Sequence, residues 1–494
     1  MRYVSPEQVG VTSENVMRFY RRIEEQGISM HSVILAKGDA VFSECYYAPF
    51  HKDFLHRMYS VSKTFVATAI GCCLDEGLLA LSDTLEQHFP EYMSDGVSPS
   101  LRKTTVEELL KMETAVTGED PHAYWFAHVK DDRAAVYFKD KGQKNANTLF
   151  LYDSSGSYLL GAIVEKLTGK PFLTYLKDKI LRNIGFSEDA FCLDAAGKYS
   201  WGDSGVMCRA YDLLLFARFW LNGGTWEGKR YLSEDFVTRA VSPAVCTSDF
   251  GFSGQDGTYG YGYQIWGARG GGFAMRGMGG QVALCLPKED LILVTNADTQ
   301  GHPLGYYPIL DAFYTEIVEK MHAEPLPENA VAERALRAEE KGKKLFFLQG
   351  AASSAFAEKI NGKHFVCEEN PMGIRSFTLR FDGEGGTLSY ENATGEKSFP
   401  FGLGHNEIAP FPEEGYSARV GGLAAAGHKY TAAFSADFPE EKKLRIRVQI
   451  IDEYFGNLAM VFGFRDESTV SVRMQKVAEN FLNEYVGTMN ATAK

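Results

Sequence analysis

The chain has 494 residues, 45% of them hydrophobic, and its 64 acidic and 51 basic residues give a formal net charge of −13. This length and apolar content are enough for two or three domains, each with its own core. An acidic surface repels phosphate backbones and no basic run offsets it here, so we do not expect nucleic acid as a partner.

The N-terminal segment and the cysteines favour a cytoplasmic location. The opening MRYVSPEQVGVTSENVMRFY lacks the apolar core of a signal peptide, and the sequence contains no apolar run long enough to span a bilayer. The eight cysteines form no C-x-x-C pair, and Cys72 and Cys73 adjoin in an apolar run, where they are expected to pack as small hydrophobic residues. We therefore expect free thiols and no membrane partner.

The first predicted elements are a hairpin and several helices. The strands SVILA and AVFSECYY flank the turn KGD, and residues 60–80 follow with apolar side chains at helical spacing. TTVEELLKM begins with a Thr-x-x-Glu capping box. In SSGSYLLGAIVEKLTGKPFLTYLKDKI, Gly169 ends one helix and Pro171 opens the next, and a further helix is predicted over 209–221.

Three late strands are predicted in YGYQIW, GGQVALCLP and LILVTNA, before a helix near 309–321. Because two strands come early and three come late, with helices between them, the order predicts one antiparallel sheet built from both ends of an α+β domain, residues 1–325. The following segment, 326–344, is highly charged, and Pro325 and Pro327 lie at its start, which is typical of a linker.

The remaining residues, 345–494, are predicted to form a β-rich C-terminal domain. Segments such as KLRIRVQIIDEYFGNLAMVFGF alternate or run apolar between glycine-rich turns, which indicates a sandwich or a small barrel. The stretch KVAENFLNEYVG is predicted to form a terminal helix.

The most informative motif is YSVSK, which places Ser60 one helical turn before Lys63. A helix N-terminus favours an oxyanion beside Ser60, and a lysine whose pKa is lowered by burial can accept a serine proton. Alternatively, Ser60 or Ser62 only caps the helix and Lys63 points to solvent. A second Ser-x-x-Lys, Ser100 with Lys103, follows a loop and precedes a helix cap, so we interpret it as a chance match.

Two further segments carry side chains suited to the same chemistry. In LYDSSGS, the Tyr152 phenol could pass a proton to a leaving group and the Ser154 hydroxyl could hold a lysine ammonium. In FAMRGMGGQ, glycines ahead of a strand let backbone amides approach a ligand. Alternatively, Tyr152 is a core residue beside a helix cap, and the glycines form an ordinary bulge or hairpin turn.

Together, YSVSK, the Tyr152 segment and MRGMGGQ resemble the three motifs of the serine β-lactamase and penicillin-binding-protein superfamily, nearest its class C β-lactamase-like esterase and amidase branch. The resemblance covers about residues 5–320 and implies a sheet flanked by helices with a helical subdomain. It also implies Ser60 as the acylated nucleophile, Lys63 as its base and Tyr152 as the general acid and base. The oxyanion hole would be the amides of Ser60 and Met278.

This sequence departs from the family pattern at several positions. Ser154 stands where the family has Asn, while Met275, Arg276 and Gly277 align with Lys-Thr-Gly. Efficient β-lactam hydrolysis is therefore not expected, because the cationic and hydroxyl groups that hold the substrate are replaced. Arg276 either clamps a substrate carboxylate or faces solvent on the other side of the strand.

Other signals are weaker. Tyr124 and Trp125 could stack on substrate above Ser60, although large aromatic residues more often belong to a core. Ser204, in WGDSGV, is expected to be a loop residue because no trypsin-like histidine segment precedes it. The 11 histidines lack spacings such as His-Glu-x-x-His, so we expect no metal and no other cofactor.

The resemblance therefore predicts a serine hydrolase that forms an acyl-enzyme on Ser60. Its expected substrates are small esters or amides, such as D-amino-acid peptides or short ω-amino-acid oligomers. A DD-peptidase or weak β-lactamase is one alternative, and a non-catalytic ligand-binding protein is the other. Similarity to D-aminopeptidases further suggests that the C-terminal domain resembles a lipocalin barrel, which would shape the cleft or a homo-oligomer.

Overall fold

The structure is a computed structural model that describes residues 1–117, 132–142, 144–195, 198–248, 257–415, 420–421, 425–479 and 481–494. They divide into two compact units. The first contains Met1–Lys344 together with the short strand Val420–Gly421, and the second contains the rest of the chain from Leu345 onwards.

A seven-stranded sheet forms the centre of the first unit, within the described residues, in the order β1-β3-β2-β13-β12-β11-β10. Its strands are β1 Arg2–Tyr3, β2 Ser29–Lys37, β3 Ala40–Tyr46, β10 Trp266–Ala268, β11 Gly272–Gly277, β12 Gln281–Leu286 and β13 Leu291–Asp298. Apart from the parallel pair β1 and β3, neighbours run antiparallel, and β2 pairs with β13. The prediction of an antiparallel sheet built from early and late strands is confirmed.

Shorter strands of the first unit lie outside this sheet. They are β4 His56–Arg57, β5 Phe191–Cys192, β6 Asp194–Ala195, β7 Val206–Cys208, β8 Thr225–Trp226, β9 Lys229–Arg230 and β19 Val420–Gly421. Strand β4 pairs antiparallel with β7, which brings the segment just before Ser60 against residues 206–208.

Helices cover the sheet and form a cluster beside it. They are α1 Ser13–Glu25, α2 Ser62–Asp75, α3 Leu85–His88, α4 Pro99–Lys103, α5 Val106–Lys111, α6 Arg133–Tyr137, α7 Ser154–Thr168, α8 Phe172–Lys179, α9 Ala210–Leu221, α10 Glu234–Val241, α11 Tyr307–Phe313 and α12 Ala330–Gly342. Side chains of α1 and α11 share one hydrophobic core with the sheet. Helix α2 packs against α7 and α8, and nearly all its side chains are buried.

The segment 326–344, predicted to be a linker, instead belongs to the first unit. It contains α12, and its Leu336 is completely buried in the core shared with the sheet. The buried positions Ala332, Leu336 and Glu340 recur every four residues, which forms one narrow stripe on a helix. Five of the other ten positions of the helix are charged, so the composition of the segment concealed this stripe.

The second unit is a closed barrel of nine strands within the described residues, with β18 added at one edge. The barrel order is β17-β16-β15-β14-β24-β23-β22-β21-β20, and a parallel pairing of β20 with β17 closes it. The strands are β14 His364–Cys367, β15 Ser376–Phe381, β16 Gly385–Asn392, β17 Gly395–Leu403, β18 Glu407–Pro410, β20 Thr431–Glu440, β21 Lys443–Ile451, β22 Phe455–Asp466, β23 Thr469–Val477 and β24 Gly487–Ala493; one helix, α13 Ala355–Ile360, precedes them.

The terminal helix predicted in KVAENFLNEYVG is wrong. Its first residues complete β23, its last begins β24, and the described residues between them form a loop. The Lys476 ammonium donates hydrogen bonds to the carbonyl oxygens of Ala478, Glu479 and Phe481 at 3.0–3.2 Å. These carbonyls are therefore satisfied by a side chain, and the loop does not need the backbone hydrogen bonds of a helix.

Within the described residues, no helix is long and apolar enough to cross a membrane. No disulfide joins the cysteines that the structure describes, and Cys72 and Cys73 are buried in α2.

Candidate active site

Ser60 and Lys63 lie side by side at the start of α2. Ser60 occupies a single 3₁₀ turn, Tyr59–Val61, that leads directly into the helix. The Lys63 Nζ atom is 3.0 Å from Ser60 Oγ and 2.8 Å from the carbonyl oxygen of Asp203. The Lys63 side chain is buried, so the alternative in which it points to solvent is wrong.

The environment of Lys63 favours its neutral form. Burial lowers the pKa of Lys63 to about 8, and the positive charge of Arg57 acts in the same direction. Asp203 and Asp153 oppose this shift. A lysine with this pKa is partly unprotonated near neutral pH and can accept a proton from the hydroxyl beside it.

Tyr152 also contacts the Ser60 side chain. Burial raises the pKa of the Tyr152 phenol, while its hydrogen bond with the Ser60 side chain lowers it. Lys63 Nζ is 5.2 Å from the centre of the Tyr152 ring. The ring is further held by stacking on Trp266, with centroids 5.7 Å apart and planes 19° apart. The structure therefore brings Ser60, Lys63 and Tyr152 together.

Capping of α7 fixes the position of Tyr152 relative to that helix. The next residue, Asp153, is the N-cap of α7, and its carboxylate accepts a hydrogen bond from the Gly156 amide at 3.1 Å. The Thr114 hydroxyl donates to the same carboxylate at 2.9 Å. Because the helix start is held in this way, the phenol one residue earlier has a defined place beside Ser60.

The hydrogen bond expected between Ser154 and Lys63 is not formed among the described residues. Ser154 is buried as the first residue of α7, while the Lys63 ammonium uses the Asp203 carbonyl instead. Sequence reasoning missed Asp203 because its contact is made by a backbone atom, which leaves no signature in the residue type. Its neighbour Ser204 lies in a turn and binds Arg57, in agreement with its interpretation as a loop residue.

Strand β11 ends against the nucleophile. A Cβ atom added to Gly277 would lie 2.3 Å from the Met58 carbonyl oxygen and 3.3 Å from the Ser60 nitrogen. Only a residue without a side chain permits this approach. Met275 is completely buried in the strand, and Met278, just beyond it, is 39% exposed. The segment FAMRGMGGQ, the third of the motifs identified in the sequence, therefore lies beside the Ser60 amide.

Arg276 does not face solvent, so that alternative is wrong. Its side chain is buried, one guanidinium nitrogen donates to the Gly267 carbonyl oxygen at 3.1 Å, and its Cζ atom is 5.5 Å from the centre of the Trp266 ring. Trp266 is also the stacking partner of Tyr152. Arg276 therefore places a positive charge next to Trp266, the ring on which Tyr152 stacks.

The last two predictions concern the aromatic residues expected to contact substrate and the expected lack of a metal. Tyr124 and Trp125, predicted to stack on substrate, lie outside the described residues. In the part of the chain that the structure describes, no group of three or more His, Cys, Asp or Glu side chains could hold a metal ion.

Comparisons with known proteins identify the same family that the three motifs resemble. A family model described as Beta-lactamase matches residues 18–310, which include all three motifs. The 6-aminohexanoate-dimer hydrolase of Paenarthrobacter ureafaciens is 27% identical over 292 residues, which are 56% of this chain and 73% of that protein. Beta-lactamase-like protein 2 of Dictyostelium discoideum is 22% identical over 300 residues, 50% of this chain and 53% of that protein.

Solved structures show the same fold. A penicillin-binding protein homolog from Caulobacter crescentus superposes with a TM-score of 0.51 at 17% identity, over 62% of this chain and 99% of that one. At this identity the similarity concerns the fold alone.

Proposed function

The chain belongs to the beta-lactamase family, and we propose that it is a serine hydrolase that forms an acyl-enzyme on Ser60. The observation that carries this proposal is the 3.0 Å distance between Ser60 Oγ and a buried lysine amine. A hydrolase of this kind needs a nucleophile and a base within hydrogen-bond distance, and Lys63 also has the lowered pKa that the role of base requires.

In the proposed reaction, neutral Lys63 accepts the Ser60 proton as Oγ attacks the carbonyl carbon of an ester or amide. The oxyanion is held by the backbone amides of Ser60 and Met278, each worth about 3 kcal/mol in the transition state. Tyr152 passes the proton to the leaving group, which departs as an alcohol or amine. Water then attacks the acyl-enzyme, and the acid is released with the regeneration of Ser60.

We propose three classes of substrate to test: short ω-amino-acid oligomers and D-amino-acid peptides, which would be cleaved at an amide bond, and small esters. The relative named 6-aminohexanoate-dimer hydrolase supports the first of these. Arg276 would bind the free carboxylate of such a substrate through its guanidinium. The apolar Met275 stands where the related enzymes carry a cation, which argues against efficient β-lactam hydrolysis.

The test is covalent labelling of Ser60. A p-nitrophenyl alkylphosphonate should add one phosphonyl group to the peptide that contains Ser60, as measured by mass spectrometry after proteolysis. A parallel screen of p-nitrophenyl esters, the 6-aminohexanoate dimer, D-amino-acid peptides and β-lactams would identify the substrate class. A protein that is never labelled and cleaves none of these compounds would be a ligand-binding protein, and the proposal would be wrong.

Activity is expected to depend on pH through Lys63. Because only the neutral amine accepts a proton, kcat/KM for a p-nitrophenyl ester should rise with pH and level off above an apparent pKa of about 8. At pH 7, about one tenth of the maximal value should remain. The measurement is kcat/KM from about pH 6 to about pH 10, corrected for spontaneous hydrolysis.

Lys177 offers a matched control for this pH profile. It is another buried lysine, in α8, and its ammonium donates to the carbonyl oxygens of Glu188 and Ala190, both at 2.7 Å. The Lys177→Met variant should therefore show the same rise of kcat/KM with pH, which we call the acid limb, as the wild type. A wild-type profile that is flat across this range would contradict the role of Lys63 as base.

A further inference from the structure

Arg57 is a charged residue that the proposed reaction does not use, yet it is completely buried three residues before the nucleophile. Its Cζ atom lies 4.2 Å from the centre of the Tyr59 ring and 4.3 Å from that of Trp201. Its Nε atom donates to the Ser204 carbonyl oxygen at 3.0 Å, and a terminal nitrogen donates to Ser204 Oγ at 2.9 Å. A guanidinium in this setting is a permanent positive charge with a fixed orientation.

These contacts connect the two backbone segments that surround the Lys63 amine. Ser204 directly follows Asp203, whose carbonyl oxygen binds Lys63. Tyr59 directly precedes Ser60 and has a φ of 47°, a left-handed conformation that is uncommon for a residue with a side chain. Arg57 therefore binds the turn in which the Asp203 carbonyl oxygen accepts a hydrogen bond from Lys63. It also contacts the ring of Tyr59, the residue directly before Ser60.

We propose that Arg57 is a positioning residue that disfavours the ammonium form of Lys63 and holds its amine toward Ser60. The guanidinium acts in two ways: it fixes the turn around Asp203, and it places a positive charge near the amine, where a second positive charge is unfavourable. This inference rests on the proposed function, because it concerns the base of that reaction. It adds a residue that touches neither the substrate nor the reacting atoms.

The charges around Lys63 make the direction of the effect predictable. Asp203, from the neighbouring turn, and Asp153, from the N-cap of α7, favour the ammonium form, whereas Arg57 from β4 disfavours it. Tyr152, the other titratable group beside the amine, is held neutral by burial because its pKa is raised. Removal of the Arg57 charge leaves burial as the one remaining named influence that lowers the pKa of Lys63, so this pKa should rise.

The experiment compares Arg57→Met with the wild-type full-length chain. The rate constant for phosphonylation of Ser60 by a p-nitrophenyl alkylphosphonate is measured against pH, which requires no knowledge of the natural substrate. We expect the acid limb of the variant to move to higher pH and labelling at pH 7 to slow by about three-fold, because Arg57 has the smallest of the four effects named for Lys63. Above the new limb, the two rate constants should approach one another.

This convergence separates the proposal from a merely structural role, which would lower the rate by the same factor at every pH. Arg57→Gln provides a second neutral variant that can still donate to Ser204, in case Arg57→Met does not fold. Arg133→Met is the matched control, because the Arg133 guanidinium lies over the same Trp201 ring at 4.8 Å. It should leave the acid limb unchanged, since Arg133 is not among the groups that shift Lys63.

The outcomes distinguish the two proposals. If the wild-type protein is not labelled at Ser60, the proposed function fails. If the wild type is labelled with an acid limb, and a folded neutral variant at position 57 keeps that limb in place, the function stands and the inference about Arg57 is overturned. A limb displaced equally in Arg133→Met would also overturn it, because the effect would then not be specific to Arg57.

Discussion

The Ser60→Ala variant is expected to lose hydrolysis of a p-nitrophenyl ester by about 10⁴-fold or more in kcat/KM. The reason is that Ser60 Oγ is the atom that would bond to the substrate, and it lies within hydrogen-bond distance of Lys63 Nζ. Lys63→Met should cause a loss of the same order, because the hydroxyl then has no base and a thioether cannot accept its proton.

The double variant is the sharper test of a shared mechanism. When a nucleophile and its base act in one step, removal of both costs about as much as removal of one. We therefore expect Ser60→Ala/Lys63→Met to match the weaker single variant within about three-fold. Losses that multiply in the double variant would show that the two residues act independently, and would contradict the assignment of Lys63 as the base of Ser60.

The chain contains its own control for these substitutions. Ser100 and Lys103 have the same spacing but lie in α4, and the Lys103 side chain is exposed. Ser100→Ala and Lys103→Met should each retain wild-type activity. Retained activity in Ser60→Ala, together with the absence of a phosphonyl adduct on Ser60, would remove the proposed mechanism.

The juxtaposition of Ser60 and Lys63 could be predicted because it depends on local geometry. Residues three apart lie on one face of a helical turn, so the spacing alone brings Ser60 and Lys63 within reach of one another. The position of Tyr152 required more, because it lies 89 positions after Lys63 in the chain. It followed only from resemblance to a family in which the order of the motifs is known.

Contacts made by backbone atoms could not be predicted. The Asp203 carbonyl and the Met58 carbonyl both shape the site, but every residue type carries such a group. In the sequence, Gly277 is one residue of a glycine-rich turn. Because bulges and hairpins have the same pattern, the sequence did not show that Gly277 contacts the Ser60 turn. Arg57 was not recognised either, because its role depends on Trp201 and Ser204, which the fold brings to it from a distant segment.

Two of the errors in secondary structure have different physical causes. Helix α12 was not predicted because only a narrow stripe of it is buried and half of its remaining positions are charged. The stretch after β23 was predicted to be helical from its composition, but Lys476 satisfies the carbonyl oxygens of a loop there. In both cases tertiary contacts, and not local propensity, decide the conformation.

The Gly277→Ala variant is expected to lose activity by about 10²–10³-fold in kcat, the loss that follows removal of one oxyanion-hole donor. The added methyl group would lie 2.3 Å from the Met58 carbonyl oxygen, which is backbone and cannot turn away as a side chain could. The end of β11 must therefore retreat from the Ser60 turn. The amides of Ser60 and Met278 would then no longer converge on the oxyanion.

Gly463→Ala is a matched control for this substitution. Gly463 also lies inside a strand, β22, where the nearest atom to an added Cβ would be 3.9 Å away, so the methyl group fits without displacement. Activity and the thermal unfolding transition should both resemble those of the wild type. The comparison separates a local effect at the site from the general cost of replacing a strand glycine.

The pH profile of Gly277→Ala shows which part of the machinery has changed. Lys63 and its hydrogen bonds to Ser60 and Asp203 do not involve β11, so the acid limb near pH 8 should stay in place while the plateau falls. A folded Gly277→Ala protein with a wild-type plateau would contradict the oxyanion hole proposed between Ser60 and Met278. A displaced acid limb would instead indicate that β11 positions the base, because the loss would then come from Lys63 and not from the oxyanion donors.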